Sequence, residues 1–150
     1  MFLKKKLFLD IIDKTPLCSI DILINIKNKY VFGLRKNKPA SGYYFVPGGR
    51  ILKNEIYQLT IKRILKNELG LSIINPKFKI IGIYNHIYRD NVFNAKNINT
   101  HYFVCAIEIK LKNEIKLTKD SQHKKFILLT KVEALKHNKV HKLTKNYLKK

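Results

Sequence analysis

The chain is poor in acidic residues, and it lacks the features that mark secreted and membrane proteins. Only 10 of its 150 residues are Asp or Glu, against 31 Lys and Arg, and its formal net charge is +21. It has no Trp, one Met and two Cys. A single possible cysteine pair makes no disulfide framework. Because Cys18 and Cys105 both fall inside apolar strand patterns, we expect two buried free thiols.

Long apolar runs are also absent from the sequence. No run is long enough to span a membrane, so we expect no membrane partner. Residues 1–12 combine lysines and apolar side chains in the manner of a signal peptide. Asp10 breaks that apolar run, however, and no cleavage site of small residues follows it. We therefore expect a cytoplasmic protein.

Length and charge bound the class of protein. A chain of 150 residues has the size of one domain and can bury about 68–70% of its unfolded surface. With no repeat or linker in the sequence, we expect a single domain over residues 1–150. The positive charge attracts polyanions, but the lysines are dispersed and no zinc-finger, helix-turn-helix or RNA-binding signature accompanies them. We expect non-specific adhesion to nucleic acid at low salt and no specific nucleic-acid partner.

Hydrophobic periodicity predicts a mixture of helices and strands. Leu3, Leu7 and Ile11, spaced by four, predict an amphipathic first helix that ends before Thr15-Pro16. Strands are predicted at residues 17–26, 30–34, 43–47, 77–87, 101–111 and 126–129, with a polar, mobile loop at 90–99. Short helices are predicted at 132–135 and near the end. Strands on both sides of a central helix predict an α+β fold, in which a mixed sheet has helices packed on its faces.

The most informative motif occupies residues 49–71. Gly49 is followed after five residues by Glu55 and, after seven more, by the run Arg63-Ile64-Leu65-Lys66-Asn67-Glu68-Leu69-Gly70-Leu71. Asn54 is expected to cap a helix in this region, and Gly70 is expected to supply its left-handed end. For Glu55 and Arg63 the expected role is structural, an ion pair that pins a loop to the helix.

This frame resembles a Nudix box from which two acids are missing. A full box carries Glu at the positions of Ile64 and Asn67, so that three acids crowd one helical face and hold several divalent ions. Only Glu68 is left here. One carboxylate cannot hold two metals. A single Mg²⁺ with two or three protein ligands and the oxygens of a substrate diphosphate still completes its six-coordinate oxygen shell.

The likeness extends over nearly the whole chain to one branch of the Nudix superfamily. It is carried by Thr15-Pro16-Leu17, Asp21, Gly33-Leu34-Arg35, residues 39–50, Thr100-His101-Tyr102 and Gln122-His123. These segments resemble the GDP-mannose mannosyl hydrolases, which cut a sugar from GDP. Members of that branch share the depleted box, so Ile64 and Asn67 fit it. The resemblance implies a Nudix fold and a GDP-sugar substrate.

The resemblance also implies one Mg²⁺ per subunit. Its ligands would be the backbone carbonyl of Gly48, the carboxylate of Glu68 and the side-chain amide of Gln122. The Gly48-Gly49 pair suits this role, because a turn without side chains lets a carbonyl approach a metal.

Two further implications concern the amino-terminal segment. Phe2, Leu3 and Phe8 match positions that contact the nucleotide in the family. The apolar stripe of the first helix needs a partner, which is either the rest of the domain or, as the resemblance implies, the second subunit of a homodimer.

The resemblance places the general base at His123 and two phosphate-facing arginines at Arg35 and Arg50, with Asp21 and Tyr102 as further active-site groups. These types suit the chemistry, because histidine titrates near neutrality and arginine meets phosphate oxygens with a planar fork of donors. Asp21 is expected to orient His123 or hold sugar hydroxyls, or else to be an ordinary edge-strand acid. Tyr102 either donates a hydrogen bond to the departing phosphate or packs on its strand.

Three functions stay open at this point. The first is Mg²⁺-dependent hydrolysis of GDP-mannose or a related GDP-hexose, in which water attacks the anomeric carbon with inversion. Magnesium and two guanidinium groups would neutralise the departing diphosphate. The second is a Nudix pyrophosphohydrolase that cuts a nucleoside diphosphate sugar at phosphorus. The third is a basic nucleic-acid-binding protein that catalyses nothing.

Overall fold

A computed structural model of the chain describes residues 3–113, 115–117 and 123–149. Phe2 and Gln122, both predicted to belong to the site, lie outside the described residues. Along the chain the elements are α1 (Lys5–Lys14), β1 (Leu17–Ile26), β2 (Lys29–Arg35), β3 (Tyr44–Phe45), β4 (Gly48–Arg50), α2 (Tyr57–Leu69), β5 (Lys79–Tyr88), β6 (Thr100–Leu111), β7 (His123–Thr130), α3 (Lys131–Lys136), α4 (Lys142–Lys145) and a closing 3₁₀ helix (Asn146–Leu148).

The strands of the described chain form one seven-stranded mixed sheet. Its main path is β3-β2-β1-β6-β5, while β4 pairs with β1 and β7 with β2. β1 and β6 are parallel, in unbroken register from Leu17 opposite Tyr102 to Ile26 opposite Leu111. The other pairs are antiparallel. The predicted α+β fold, a mixed sheet with helices on its faces, is confirmed.

Strand β1 is the centre of the core. Eight consecutive residues, 19–26, are buried, which is the pattern of a strand covered on both faces. Its isoleucines pack with α2 in one cluster, whereas Leu23 joins a second cluster with Phe32 and the carboxy-terminal helices. The alternation of side chains along the strand therefore divides the core into two layers.

Helix α2 carries the motif, and its two ends differ in how well they were predicted. Gly70 ends it with φ of 67° in the left-handed region, as expected. The prediction that Asn54 caps it is wrong, because Ile56 is the N-cap and Asn54 lies in a left-handed turn with φ of 64°. Inside the helix, Ile64 is 2% exposed and packs in the core, while Asn67 is exposed.

Helix α1 has the predicted position but buries a different face. Ile12 is its buried residue, and Leu7 is 51% exposed. Phe8 also faces inward, where its ring meets Phe93 edge to face at 5.8 Å between ring centres. Both cysteines are free, as predicted, but the prediction that they are buried is wrong, since Cys18 is exposed and Cys105 is half-buried.

The segment 90–99 is organised by hydrogen bonds to one buried asparagine, which its polar composition alone did not predict. The side chain of Asn91 is fully buried. Its amide donates to the carbonyls of Ala95 and Ile98 at 2.8 Å, and its oxygen accepts from the backbone N–H groups of Phe93 and Ala95. One asparagine thus uses four hydrogen bonds to close the loop on itself.

The helices of the described part of the chain are all too short or too polar to cross a membrane.

The burial of Ile64 predicts that the missing box acid cannot be restored without loss of stability. Ile64→Glu places an unpaired charge in the core and should lower the free energy of unfolding by about 3–5 kcal/mol. Asn67→Glu is the matched control, since it restores the other missing acid at an exposed position and should change stability by less than about 0.5 kcal/mol. Urea denaturation measures both. Equal stabilities of the two variants would show that residue 64 does not face the core.

Candidate active site

A cavity of about 400 Å³ gathers residues from strands that are distant in sequence. Six of the predicted site residues line it: Phe8, Asp21, Arg35, Gly48, Arg50 and Tyr102. Leu3 is half-buried on the amino-terminal segment and is not among the lining residues. The sheet therefore brings most of the predicted set into one space, and the roles of these residues stay predictions.

Gly48 is the point where two buried acids meet the backbone. Strand pairing sets Asp21 opposite Gly48, and a side chain at residue 48 would collide with the Asp21 carboxylate. The N–H of Gly48 donates to Oε2 of Glu68 over 3.1 Å. Both carboxylates are buried, with 8% of Asp21 and 4% of Glu68 exposed. Only a glycine fits this position.

Asp21 has an unusual protonation equilibrium. Burial raises the pKa of its carboxyl from 3.8 to about 6, although a hydrogen bond from Tyr147 and the charge of Arg35 act in the opposite direction. The Tyr147 hydroxyl donates to Oδ2 of Asp21 over 2.6 Å. Desolvation is therefore the strongest effect, and ionisation of Asp21 lowers the stability of the folded protein.

The two arginines give the cavity a positive wall. The guanidinium of Arg50 lies over the Phe8 ring at 4.0 Å, and that of Arg35 lies near Phe45 at 5.8 Å. Nε of Arg35 is buried and has no hydrogen-bond partner among the described residues. Tyr102 is close to both arginines. Burial raises the pKa of its hydroxyl, and the charges of Arg35 and Arg50 act to lower it. A buried donor without an acceptor is costly, which makes Arg35 a strong candidate to bind an anion.

The donors at the box helix fit a single hard cation. The buried carboxylate of Glu68 lies beside Gly48, whose carbonyl is the predicted second ligand. Carboxylate and carbonyl oxygens are the ligands that Mg²⁺ prefers. Within the ranges that the structure describes, no three His, Cys, Asp or Glu side chains cluster in a way that could hold a metal. Ile64 instead packs against Gly49, where an added Cβ would lie 3.4 Å from it.

Glu55 and Arg63 form the predicted ion pair. Nε and Nη2 of Arg63 donate to the two carboxylate oxygens of Glu55, each over 2.7 Å, and Nη2 also donates to the carbonyl of Arg50 at 2.7 Å. These hydrogen bonds lower the pKa of Glu55 to about 2. The pair holds the backbone of β4 against α2, so the structural role expected for it is confirmed.

His123 lies apart from the cavity. It was expected on an irregular loop, but it is the first residue of β7 and is 2% exposed. Its ring covers Gly33 so closely that no side chain fits there. It is not a lining residue of the cavity, although the register of β2 and β7 pairs it with Arg35. Its predicted role as the base stays a prediction.

The structure adds His86, which was not among the predicted site residues. His86 lines the cavity, is 2% exposed, and has Nε2 at 3.0 Å from the Tyr147 hydroxyl. Burial, with a smaller effect of His141, lowers its pKa to about 4. The alternation of β5 was the available signal, since Tyr84 and Tyr88 share a face with residue 86.

The raised pKa of Asp21 predicts a pH-dependent gain in stability on neutralising it. Because the folded protein holds this proton more tightly, the free energy of unfolding falls as the pH rises from about 4 to about 6 and stays lower above that. Asp21→Asn should therefore be more stable than the parent by about 2–3 kcal/mol at pH 7.5, with no such gain at pH 3.5. Urea denaturation in a chelator measures this. Asp10→Asn, on the exposed side of α1, is the control, and an equal effect of both variants would contradict the account.

Three comparisons with known proteins agree with this geometry. The family model of the NUDIX domain matches residues 19–149. The chain is 32% identical over 114 residues to the low-salt glycan biosynthesis protein Agl8 of Haloferax volcanii, covering 75% of this chain and 70% of that protein. It is 27% identical over 135 residues to an ADP-ribose pyrophosphatase of Methanocaldococcus jannaschii, covering 89% and 74%.

Its fold matches the crystal structure of a MutT NUDIX hydrolase from Burkholderia pseudomallei with a TM-score of 0.73 and 16% identity, over 90% of this chain and 97% of that one. At that identity the match concerns the fold alone. The family model nevertheless spans most of the chain, and it includes the depleted box and every residue that lines the cavity except Phe8. The chain therefore belongs to the Nudix hydrolase family, whose members act on nucleoside diphosphate derivatives.

Proposed function

We propose that this protein hydrolyses GDP-mannose, or a related GDP-hexose, to GDP and the free sugar. Water would attack the anomeric carbon and invert it, and the diphosphate would leave with the nucleoside. We further propose that residues 1–150 act as a single domain, in a cytoplasmic homodimer, without a specific nucleic-acid partner.

The observation that carries the proposal is the pair of arginines in one cavity, beside a box helix whose acid Glu68 bonds to the lining residue Gly48. Arg35 and Arg50 both line the cavity, and the buried Nε of Arg35 lacks an acceptor among the described residues. The planar guanidinium group of an arginine pairs its N–H donors with phosphate oxygens. Two guanidinium groups on one diphosphate favour loss of that diphosphate as a unit, because its developing negative charge is stabilised where it forms.

One magnesium ion belongs to the same proposal. Gly48 through its carbonyl, Glu68 through its carboxylate and Gln122 through its amide would hold the ion. When bound, it would supply further neutralisation of the diphosphate. The hydrogen bond between Gly48 and Glu68 supports this arrangement, since it keeps the carboxylate next to the backbone that shares the ion.

The remaining roles concern the water and the two ends of the substrate. We propose His123 as the base that takes the proton of the attacking water, and its pairing with Arg35 across β2 and β7 supports a place near the phosphate. Tyr102 would donate to the departing phosphate. Phe8, with Phe2 and Leu3, would contact the nucleoside. The place of Phe8 under the guanidinium of Arg50 supports this.

A sugar as the group that water attacks is favoured by two observations. The Haloferax relative is named for glycan biosynthesis. Asp21 in the cavity offers an acceptor that suits sugar hydroxyls and repels phosphate. The choice of guanine and of mannose comes from the resemblance to the mannosyl hydrolases, carried by residues 39–50 and by the depleted box.

A second candidate is a pyrophosphohydrolase that cuts between the two phosphates. It is favoured by the 27% identity with the Methanocaldococcus protein, which is named an ADP-ribose pyrophosphatase. The depleted box weighs against it, because the described residues offer one box carboxylate where several ions would be needed.

Hydrolysis of GDP-mannose in ¹⁸O-labelled water separates the two reactions. Attack at carbon predicts free sugar with inverted configuration and GDP that carries no label. Attack at phosphorus predicts GMP and a sugar phosphate, with label in a phosphate. Mass spectrometry of the nucleotide gives the answer, and either GMP in place of GDP or label in the GDP would contradict the proposal. No turnover in a panel of sugar nucleotides with Mg²⁺ would favour a non-catalytic role.

A matched pair of histidine variants tests the base. His123→Gln should lower kcat by about 10²–10⁴. His86→Gln, at the cavity wall, should lower it by no more than about tenfold, the effect of one lost hydrogen bond. Circular dichroism and thermal melting confirm that both variants fold. A near-normal rate for His123→Gln with a large loss for His86→Gln would move the base into the cavity.

A further inference from the structure

Three buried side chains form a hydrogen-bonded chain behind the cavity. Tyr147, on the closing 3₁₀ helix, is 3% exposed and does not line the cavity itself. Its hydroxyl lies 2.6 Å from Oδ2 of Asp21 and 3.0 Å from Nε2 of His86. Asp21 and His86 both line the cavity. One residue near the carboxy terminus therefore contacts two groups of the site from behind.

The hydroxyl of Tyr147 has one hydrogen for two neighbours. An ionised carboxylate only accepts hydrogen bonds, so the hydrogen goes to Asp21. The phenolic oxygen is then an acceptor toward His86, and Nε2 of that ring must carry a hydrogen to donate. In a neutral imidazole this leaves Nδ1 without one. Nδ1 lies 3.5 Å from the hydroxyl of Tyr88, which can donate to it.

The rings around this chain leave Tyr147 little freedom. Its ring stacks on that of His86, with 5.6 Å between centres and 18° between planes, and it meets the ring of Tyr84 at 4.8 Å. The orientation of the hydroxyl is therefore set by packing, and the direction of its hydrogen by the carboxylate.

We propose that Tyr147 is a positioning residue that fixes His86 as the Nε2-protonated tautomer and, through it, makes one wall of the cavity a surface of hydrogen-bond acceptors. Tyr88, once it donates to His86, presents its oxygen lone pairs, and Asp21 presents its second oxygen. Arg35 and Arg50 present only donors. The cavity thereby offers acceptors beside donors, which suits a substrate that combines an anion with hydroxyl groups, as a sugar phosphate does.

The tautomer is measurable without any turnover. Long-range ¹H–¹⁵N spectra at pH 8, where an aspartate is ionised, report which ring nitrogen of His86 carries the hydrogen, and the signals are assigned by their loss in His86→Gln. The parent protein should show protonated Nε2 and bare Nδ1. Tyr147→Phe, which removes only the hydroxyl, should shift both nitrogens toward a mixture of tautomers. Tyr84→Phe, in the same ring cluster but outside the chain, should leave them unchanged.

A bare Nε2 in the parent protein would overturn the inference, and so would an unchanged His86 spectrum in Tyr147→Phe. If Tyr147→Phe fails to fold, the parent spectrum alone still decides the matter. This test does not depend on the substrate.

The consequence for the reaction rests on the proposed function and has its own readout. Tyr147→Phe should lower kcat for the GDP-sugar by about tenfold, the loss expected for one hydrogen bond to a charged group. KM should change by less than about twofold, because the residue does not touch the substrate. Tyr84→Phe should match the parent. Equal rates for the two variants would overturn the positioning role, whereas no turnover by the parent would sink the proposed function and leave the tautomer result intact.

Discussion

The hydrogen bond from the N–H of Gly48 to the carboxylate of Glu68 is the contact on which the site depends. It joins β4 to α2, and so links the sheet to the helix that carries the motif. Gly48 must be bare, because Asp21 fills the space that a side chain would need. The ion pair of Glu55 with Arg63 supports the same junction, because Arg63 also donates a hydrogen bond to the carbonyl of Arg50. The backbone of Gly48 and Arg50 thus connects the sheet, the box helix and the cavity.

The distribution of charge follows from that junction. In a chain with a net charge of +21, the two acids at Gly48 are buried and the two cavity arginines have no carboxylate partner in the described structure. A buried charge without a partner is costly. A diphosphate substrate would supply acceptors to Arg35 and Arg50, and the divalent ion that accompanies it would bind Glu68. The loss of the other box acids is consistent with this, because Ile64 fills the core instead.

Local signals predicted most of the fold. The bounds of β1 were predicted without error, because Thr15-Pro16 precedes this strand rich in Ile and Leu and a polar turn at residues 27–29 follows it. Gly70 ends α2 because a left-handed residue is needed there. The box frame and the arginine positions identified most of the cavity. Long-range packing decided the rest. The cap at Asn54 and the buried face of α1 depend on contacts with distant strands, and the partnership of Asp21 with Tyr147 spans 126 positions, which no local pattern encodes.

The central claim is that a lone box carboxylate holds one divalent ion beside the diphosphate. Calorimetric titration of Mg²⁺ into the protein saturated with GDP tests it most directly, with Asn67→Gln as the control on the exposed side of the same helix. The account predicts one ion per chain, with binding weakened at least about tenfold by Glu68→Gln and unchanged in the control. Two or more ions, or a single ion indifferent to Glu68→Gln, would contradict it.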